Sequence, residues 1–141
     1  MNNMNMNMIR PFPLWLSRIV LSLAMVLFEI ISLKFIINPT HEATGFGIAT
    51  TSSLGATTLR IGFGAFPAMV GIIIARCLMR AHYAAGLSIV STLMAIILGV
   101  RFLAGASGDT MAEHNYIIYA ECVFLSLSLL GLFQLRKSSE A

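Results

Sequence analysis

The sequence predicts an all-α protein, a four-helix transmembrane bundle running up-down-up-down with both termini in the cytoplasm. Three observations carry that reading. Of 141 residues, 57% are hydrophobic and only 11% are charged, against about 45–50% and about 25% in soluble domains; the mean hydropathy is +0.85. The apolar residues gather in four long runs, each near the roughly 20 residues that cross a bilayer. The Lys and Arg residues collect at one end of those runs. A soluble chain this poor in charge would expose large apolar patches and aggregate, which excludes soluble enzymes, nucleic-acid binders and disordered proteins. Transmembrane strands would give short alternating segments instead of long runs.

Taken in order, residues 1–12 read as a disordered tail. Met and Asn alternate from Met1 to Met8, with no face that could pack, and Met4, Met6 or Met8 are alternative starts. Arg10 and Arg18 before an apolar run invite comparison with a signal peptide. The run is too long for one, carries Glu29 and Lys34, and lacks a small-residue cleavage site, so it reads as an uncleaved first span. One transmembrane domain then covers residues 13–137, with a short tail at 138–141. Its spans are placed at about Leu14–Ile37, Thr57–Met79, Tyr83–Ala104 and Glu113–Leu135.

The linkers carry the expected breakers. Asn38-Pro39 ends the first span, and Asn38 as cap with proline in the first helical position predicts a short interfacial helix to about Gly45. The Thr50–Ser53 stretch re-enters the second span. Arg80-Ala81-His82 makes a tight turn, and Gly105–Asp109 separates the last two spans. Pro67 is expected to kink the second span near its centre.

Orientation follows from Arg10, Arg18, Arg76, Arg80, Arg136 and Lys137, all at one end. Basic residues mark the cytoplasmic side, which places the chain in the inner membrane with the 39–56 and 105–112 loops outside. Lys34 is the nearest exception. The net charge of +3 is thus a topology signal and implies no nucleic-acid partner. Cys77 and Cys122 fall near opposite faces and read as free thiols.

Four ionisable residues set inside the apolar segments stand out, one from each span: Glu29, Arg60, Arg101 and Glu121. An unpaired charge at mid-bilayer costs about 2.5–3.5 kcal/mol on insertion scales, so four of them call for a reason. At the helical rise, Glu29 and Glu121 lie about 12 Å below the outer ends of their spans, and Arg60 and Arg101 about 4–5 Å below theirs. All four share the outer half of the bilayer, and their charges cancel. Helical side chains lean toward their own N-terminus. Arg101 therefore leans down and Glu121 up, and these two are expected to pair. Glu29 and Arg60 lean apart.

The helix faces suggest a polar interior. Arg18, Ser22, Met25, Glu29 and Ser32 form one stripe on the first span. His114, Glu121 and Ser128 are seven apart on the fourth. Gly64, Ala68, Gly71 and Ala75 continue from Arg60 on the second, and Ser88, Thr92, Ala95 and Gly99 are the expected contact face of the third. His114, Ser22 and Ser128 are secondary site candidates, with His114 reading as a polar anchor. His41 and His82 fall in loops. No metal-ligand spacing, nucleotide loop or nucleophile elbow is present in the sequence, so the sequence calls for no metal and no cofactor.

The segments Thr57-Thr58-Leu59-Arg60 with Gly62 and Gly64, Gly99-Val100-Arg101 before Gly108-Asp109, and Glu121 in the last span resemble a set of bacterial four-helix membrane proteins. These form a domain of unknown function within the DoxX-like superfamily. The resemblance runs from about Ile19 to Arg136 and implies a four-helix transmembrane bundle marked by the two arginines and the last-span glutamate. Some distant relatives are linked to redox or quinone chemistry; this chain lacks the paired cysteines that thiol–disulfide work needs.

Three functions fit the sequence. The Glu29, Arg60, Arg101 and Glu121 cluster would hold a small amphipathic or lipid-like molecule. Alternatively, the chain is a membrane-embedded enzyme or redox accessory on a quinone- or isoprenoid-like substrate, with Glu121 or Glu29 as acid/base and Arg101 orienting an oxygen. Or it is a structural subunit, its charges fixing which helices pair. Binding and purely structural roles weigh equally. The expected partners are the lipid bilayer, such a ligand, and further copies of the chain.

Overall fold

The computed structural model describes residues 11–49, 52–106 and 115–139. Every element it assigns among them is helical: α1 (Pro11–Ile37), α2 (Pro39–Thr44), α3 (Ser53–Leu59), a π-helical turn (Arg60–Ala65), α4 (Phe66–Met79), α5 (Tyr83–Ala106) and α6 (Asn115–Ser139). Four helices are long and apolar enough to cross a membrane: Leu14–Ile37, Ser53–Met79, Tyr83–Ala106 and Ile117–Lys137. The protein is therefore all-α and multi-pass, as the sequence predicts. Its surface fits lipid: Leu23, Ile30, Leu33, Ile72, Ile96 and Leu129 all lie open, an arrangement water would penalise. The Met/Asn tail, the 107–114 loop with His114, and residues 50, 51, 140 and 141 lie outside the described residues.

The chain divides into two compact units, Met1–Leu21 with His82–Ala141, and Ser22–Ala81. In the first, α5 and α6 form an antiparallel hairpin, with the start of α1 joining them. Its core holds Ser17, Val20, Leu21, Leu87, Val90 and Ser128. A close approach is made at Gly131 of α6. A Cβ there would fall 2.9 Å from Leu87 Cδ1 and 3.7 Å from Ser17 Oγ, so a larger residue would require the Leu87 side chain to shift.

The buried face of α5 is Tyr83, Gly86, Leu87, Val90, Ser91, Met94 and Leu98. This corrects the expected contact stripe: Ser88, Thr92, Ala95 and Gly99 are exposed, and nothing lies within 4 Å of a Cβ built on Gly99. The packed stripe is its neighbour, displaced by one residue. Small residues permit close approach, but the branched side chains beside them fill the interface.

In the second unit, the rest of α1 runs antiparallel to the helix made by α3, the π turn and α4. Gly64 meets Ile36 and Ser32, and Gly71 meets Glu29. Phe35, Ala43 and Leu59 form a buried cluster with Ile31 packed on it. The Phe35 ring stacks on Phe46 at 6.1 Å and Phe63 at 5.1 Å.

The short interfacial helix is present as α2 with Pro39 at its start, but the Asn38 side chain makes no capping hydrogen bond. Asn38 instead donates its backbone N–H to the Lys34 carbonyl at 2.9 Å, so the residue ends α1 and leaves α2 to the fixed φ of Pro39. At the other end of α2, Gly47 has φ +72°. Its N–H donates to Thr44 O and that of Ile48 to Ala43 O, both at 3.0 Å. This is a Schellman closure, and the left-handed position suits glycine. Ser52 then caps α3, accepting from the Gly55 N–H at 3.1 Å.

Pro67 does not break the second span, which stays helical from Ser53 to Met79. The adjustment is made just before it, as the π turn. The Phe66 N–H bonds Ile61 O, five residues back, and Pro67 has no N–H to give. The Gly62 carbonyl thereby loses both donors that a helix would bring it. The Arg80-Ala81-His82 turn is closed by Ala81 at φ 56°, a left-handed conformation that costs alanine about 1–2 kcal/mol.

Candidate functional site

The four intramembrane charges divide two and two between the units. In the first, Arg101 stands five residues before the end of α5, and Glu121 six residues after the start of α6. Antiparallel packing and the N-terminal lean of helical side chains bring them together. Arg101 Nε donates to Glu121 Oε1 at 3.0 Å and Oε2 at 2.8 Å. The side chains are 30% and 11% exposed. The expected pair is present, and its form is informative. A single N–H spans both carboxylate oxygens, so both Nη amino groups stand outside the pair. Four N–H donors are left over at the more exposed end.

The sequence expectation for Glu29 and Arg60 also holds, in that they do not pair. Arg60 Nε donates to the Ile36 carbonyl at 3.1 Å. Ile36 is in the last turn of α1, where carbonyls lack intrahelical donors, and Asn38-Pro39 prevents the helix from continuing. Arg60 thus caps the neighbouring helix with a cation, the favourable sign at a C-terminus. The Glu29 carboxyl lies over the Gly71 backbone: a Cβ on Gly71 would fall 3.0 Å from Glu29 Cδ. Glu29 is exposed.

Of the secondary candidates, Ser128 is fully buried and its Oγ donates to Phe124 O at 2.6 Å. It bonds its own helix, which leaves it structural. Ser22 is exposed, and His114 lies outside the described residues. Cys77 and Cys122 are free. Lys34, the exception to the charge asymmetry, has a local explanation: its Nζ lies 3.6 Å from Glu42 Oε2, and His41 Nδ1 lies 3.6 Å from Glu42 Oε1.

One contact escaped sequence reasoning. Arg18 Nε donates to Tyr83 Oη at 2.9 Å, and the guanidinium carbon sits 5.5 Å from the centre of the same ring. The available signal was depth, since both residues lie close to the same ends of their spans. Comparison of the chain with family models, with curated proteins and with solved structures finds no match.

Proposed function

We propose that the protein is a small-molecule-binding membrane protein whose site is the Arg101–Glu121 pair. The observation that carries this is the Nε-only contact, which leaves the two Nη groups of a 30% exposed guanidinium in donor geometry. Because the carboxylate cancels the charge, the pair favours an uncharged or zwitterionic oxygen on an amphipathic molecule over a free anion. The surrounding span is apolar and would take the molecule's tail. This is the lipid-like ligand expected from the sequence, narrowed to the α5–α6 hairpin. The DoxX-like resemblance names the same two residues. The enzymatic alternative asks for a carboxyl free to exchange a proton; Glu121 has both oxygens committed to Arg101, which leaves Glu29 as its acid/base.

The basic ends belong to the cytoplasmic face of the inner membrane on this reading, so a tag at Ala141 reached from outside would overturn the orientation. Native mass spectrometry of the purified protein tests the binding. A retained amphipathic molecule that Arg101→Gln loses, in a variant with unchanged helicity, supports the site. A second reading rests on the depth of Glu121: the pair is a clamp between two helices. Exchanging the two residues separates the readings, since a clamp survives the exchange and a ligand site does not.

A further inference from the structure

The second unit carries its own intramembrane carboxyl, and the charges around it are taken up elsewhere. Lys34 faces Glu42 at 3.6 Å, as does His41, and Arg60 donates to the Ile36 carbonyl. Arg76 lies in the last turn of α4, five residues beyond Gly71, which turns it about 140° from the Gly71 face. Of the four intramembrane charges, Glu29 alone has no ion pair and no hydrogen bond among the described residues. It stands eight residues before the Ile37 end of its span, about 12 Å along the helix, deep enough to bear the insertion cost given above.

Glycine positions the carboxyl. Its Oε1 lies against Gly71, where a Cβ would collide with it, so the group rests on the backbone of α4 with its outer side exposed. Val26 and Leu33, three residues before Glu29 and four after it, share its helix surface and are 48% and 58% exposed. On α4, Ala68 and Ala75 flank Gly71 at the same spacings. A fixed negative charge thus opens onto lipid between apolar side chains, and a cation that reaches this depth must bring apolar surface of its own. A neighbouring helix is one carrier of such a cation. Close helix contact needs small residues, yet Gly64 and Gly71 already face α1, and the open face of α1 is branched at Leu23, Val26, Ile30 and Leu33. That relief suits a small molecule lying among side chains better than a helix backbone.

We infer that Glu29 forms a second binding site, for a lipophilic organic cation: an ammonium or phosphonium whose charge lies within apolar substituents. The carboxylate takes the charge, and Val26, Leu33, Ala68 and Ala75 take the substituents. This site differs from the Arg101–Glu121 pair in charge and so in ligand. That pair is neutral and selects an oxygen, whereas Glu29 selects a positive centre.

Two ions of the same shape and opposite charge give the test. The full-length protein in dodecyl maltoside micelles is dialysed to equilibrium against tetraphenylphosphonium or tetraphenylborate, with protein-free micelles as the reference. Tetraphenylphosphonium is expected to bind above the micelle background, and tetraphenylborate is not. Glu29→Gln should weaken phosphonium binding roughly tenfold or more, because the attraction of opposite unit charges in near contact exceeds one tenfold step even at the dielectric of a protein surface. Glu29→Asp keeps the charge on a shorter stem and should lose about threefold. Glu42→Gln removes a carboxyl of the same unit outside the long spans and should leave binding unchanged; a loss equal to that of Glu29→Gln would mean general charge attraction and overturn the site. A leucine-rich transmembrane peptide with one central lysine should displace the phosphonium weakly; full displacement at equimolar peptide would make Glu29 a helix-assembly contact and overturn the small-cation reading. Equal binding of the two ions, or unchanged phosphonium binding in Glu29→Gln, overturns the inference outright. Should Glu29→Gln lose its helicity, a Glu29→Asp affinity equal to that of the unaltered protein overturns it equally.

Discussion

Removing one member of the Arg101–Glu121 pair should cost more in one direction than in the other. Arg101→Gln leaves a carboxylate that is only 11% exposed and six residues into its helix, with a short stem. It cannot reach water, so the cost should approach the insertion penalty of an unpaired charge, about 2–3 kcal/mol. Glu121→Gln leaves a guanidinium 30% exposed and five residues from the end of α5. Its long stem can turn to the interface, which lowers the cost to about 1–2 kcal/mol. The double glutamine variant carries no charge and should lose only about 1 kcal/mol, giving a coupling of about 2–3 kcal/mol. The assay is unfolding in mixed micelles followed by helicity, on all four proteins of the cycle. Additive single losses, or a Glu121→Gln loss as large as that of Arg101→Gln, would refute the argument.

Other positions give sharper local outcomes. Gly131→Val should destabilise by about 1–3 kcal/mol, because its Cβ meets the fully buried Leu87; Gly99→Val, with open space around it, should change stability little in the same unfolding assay. Arg60→Gln should weaken the end of α1 by about 1–2 kcal/mol, seen as faster amide hydrogen exchange in α2 and the last turn of α1. Ala81→Gly should stabilise by about 0.5–1 kcal/mol by relieving the left-handed turn, measured as a raised Tm; a fall in Tm would contradict the strain assigned there.

The class, the presence of four membrane-length helices and the Arg101–Glu121 contact were legible in the sequence because they rest on length, hydropathy and the fixed lean of helical side chains. The packed face of α5 was not. In a membrane helix almost every position is apolar, so the contrast that marks a buried face in a soluble helix is missing. The choice between Leu87, Ser91, Met94, Leu98 and Ser88, Thr92, Ala95, Gly99 then rests on shape alone. Arg60 was legible as an intramembrane charge but not as the cap of α1, because its partner is a backbone carbonyl, present at every residue. The Arg18–Tyr83 contact was hidden for a related reason. Arg18 reads as a basic residue marking the span's end and as part of the first span's polar stripe, and Tyr83 as the start of the third span; only packing decides that they touch.

The π turn has a consequence for how this chain tolerates changes in length. Leu59 and Gly64 are both buried although five residues apart, whereas an α-helix would bring Phe63 round to that side. The second span is in effect two α-helical rods carrying one residue too many between them. Deleting one residue between Arg60 and Ala65 would return the turn to α geometry with α3 and α4 still in phase, whereas straightening the turn at its present length would rotate α4 by about 100° relative to α3. In the deletion Gly71 would keep facing Glu29; in a straightened span of full length it would swing away while Leu59 kept its place. Residues 60–65 therefore hold the rotational phase of the span's inner half by absorbing one residue of length, so a deletion there should leave contacts two turns away in place, whereas a deletion within α4 before Gly71 would turn them out of register.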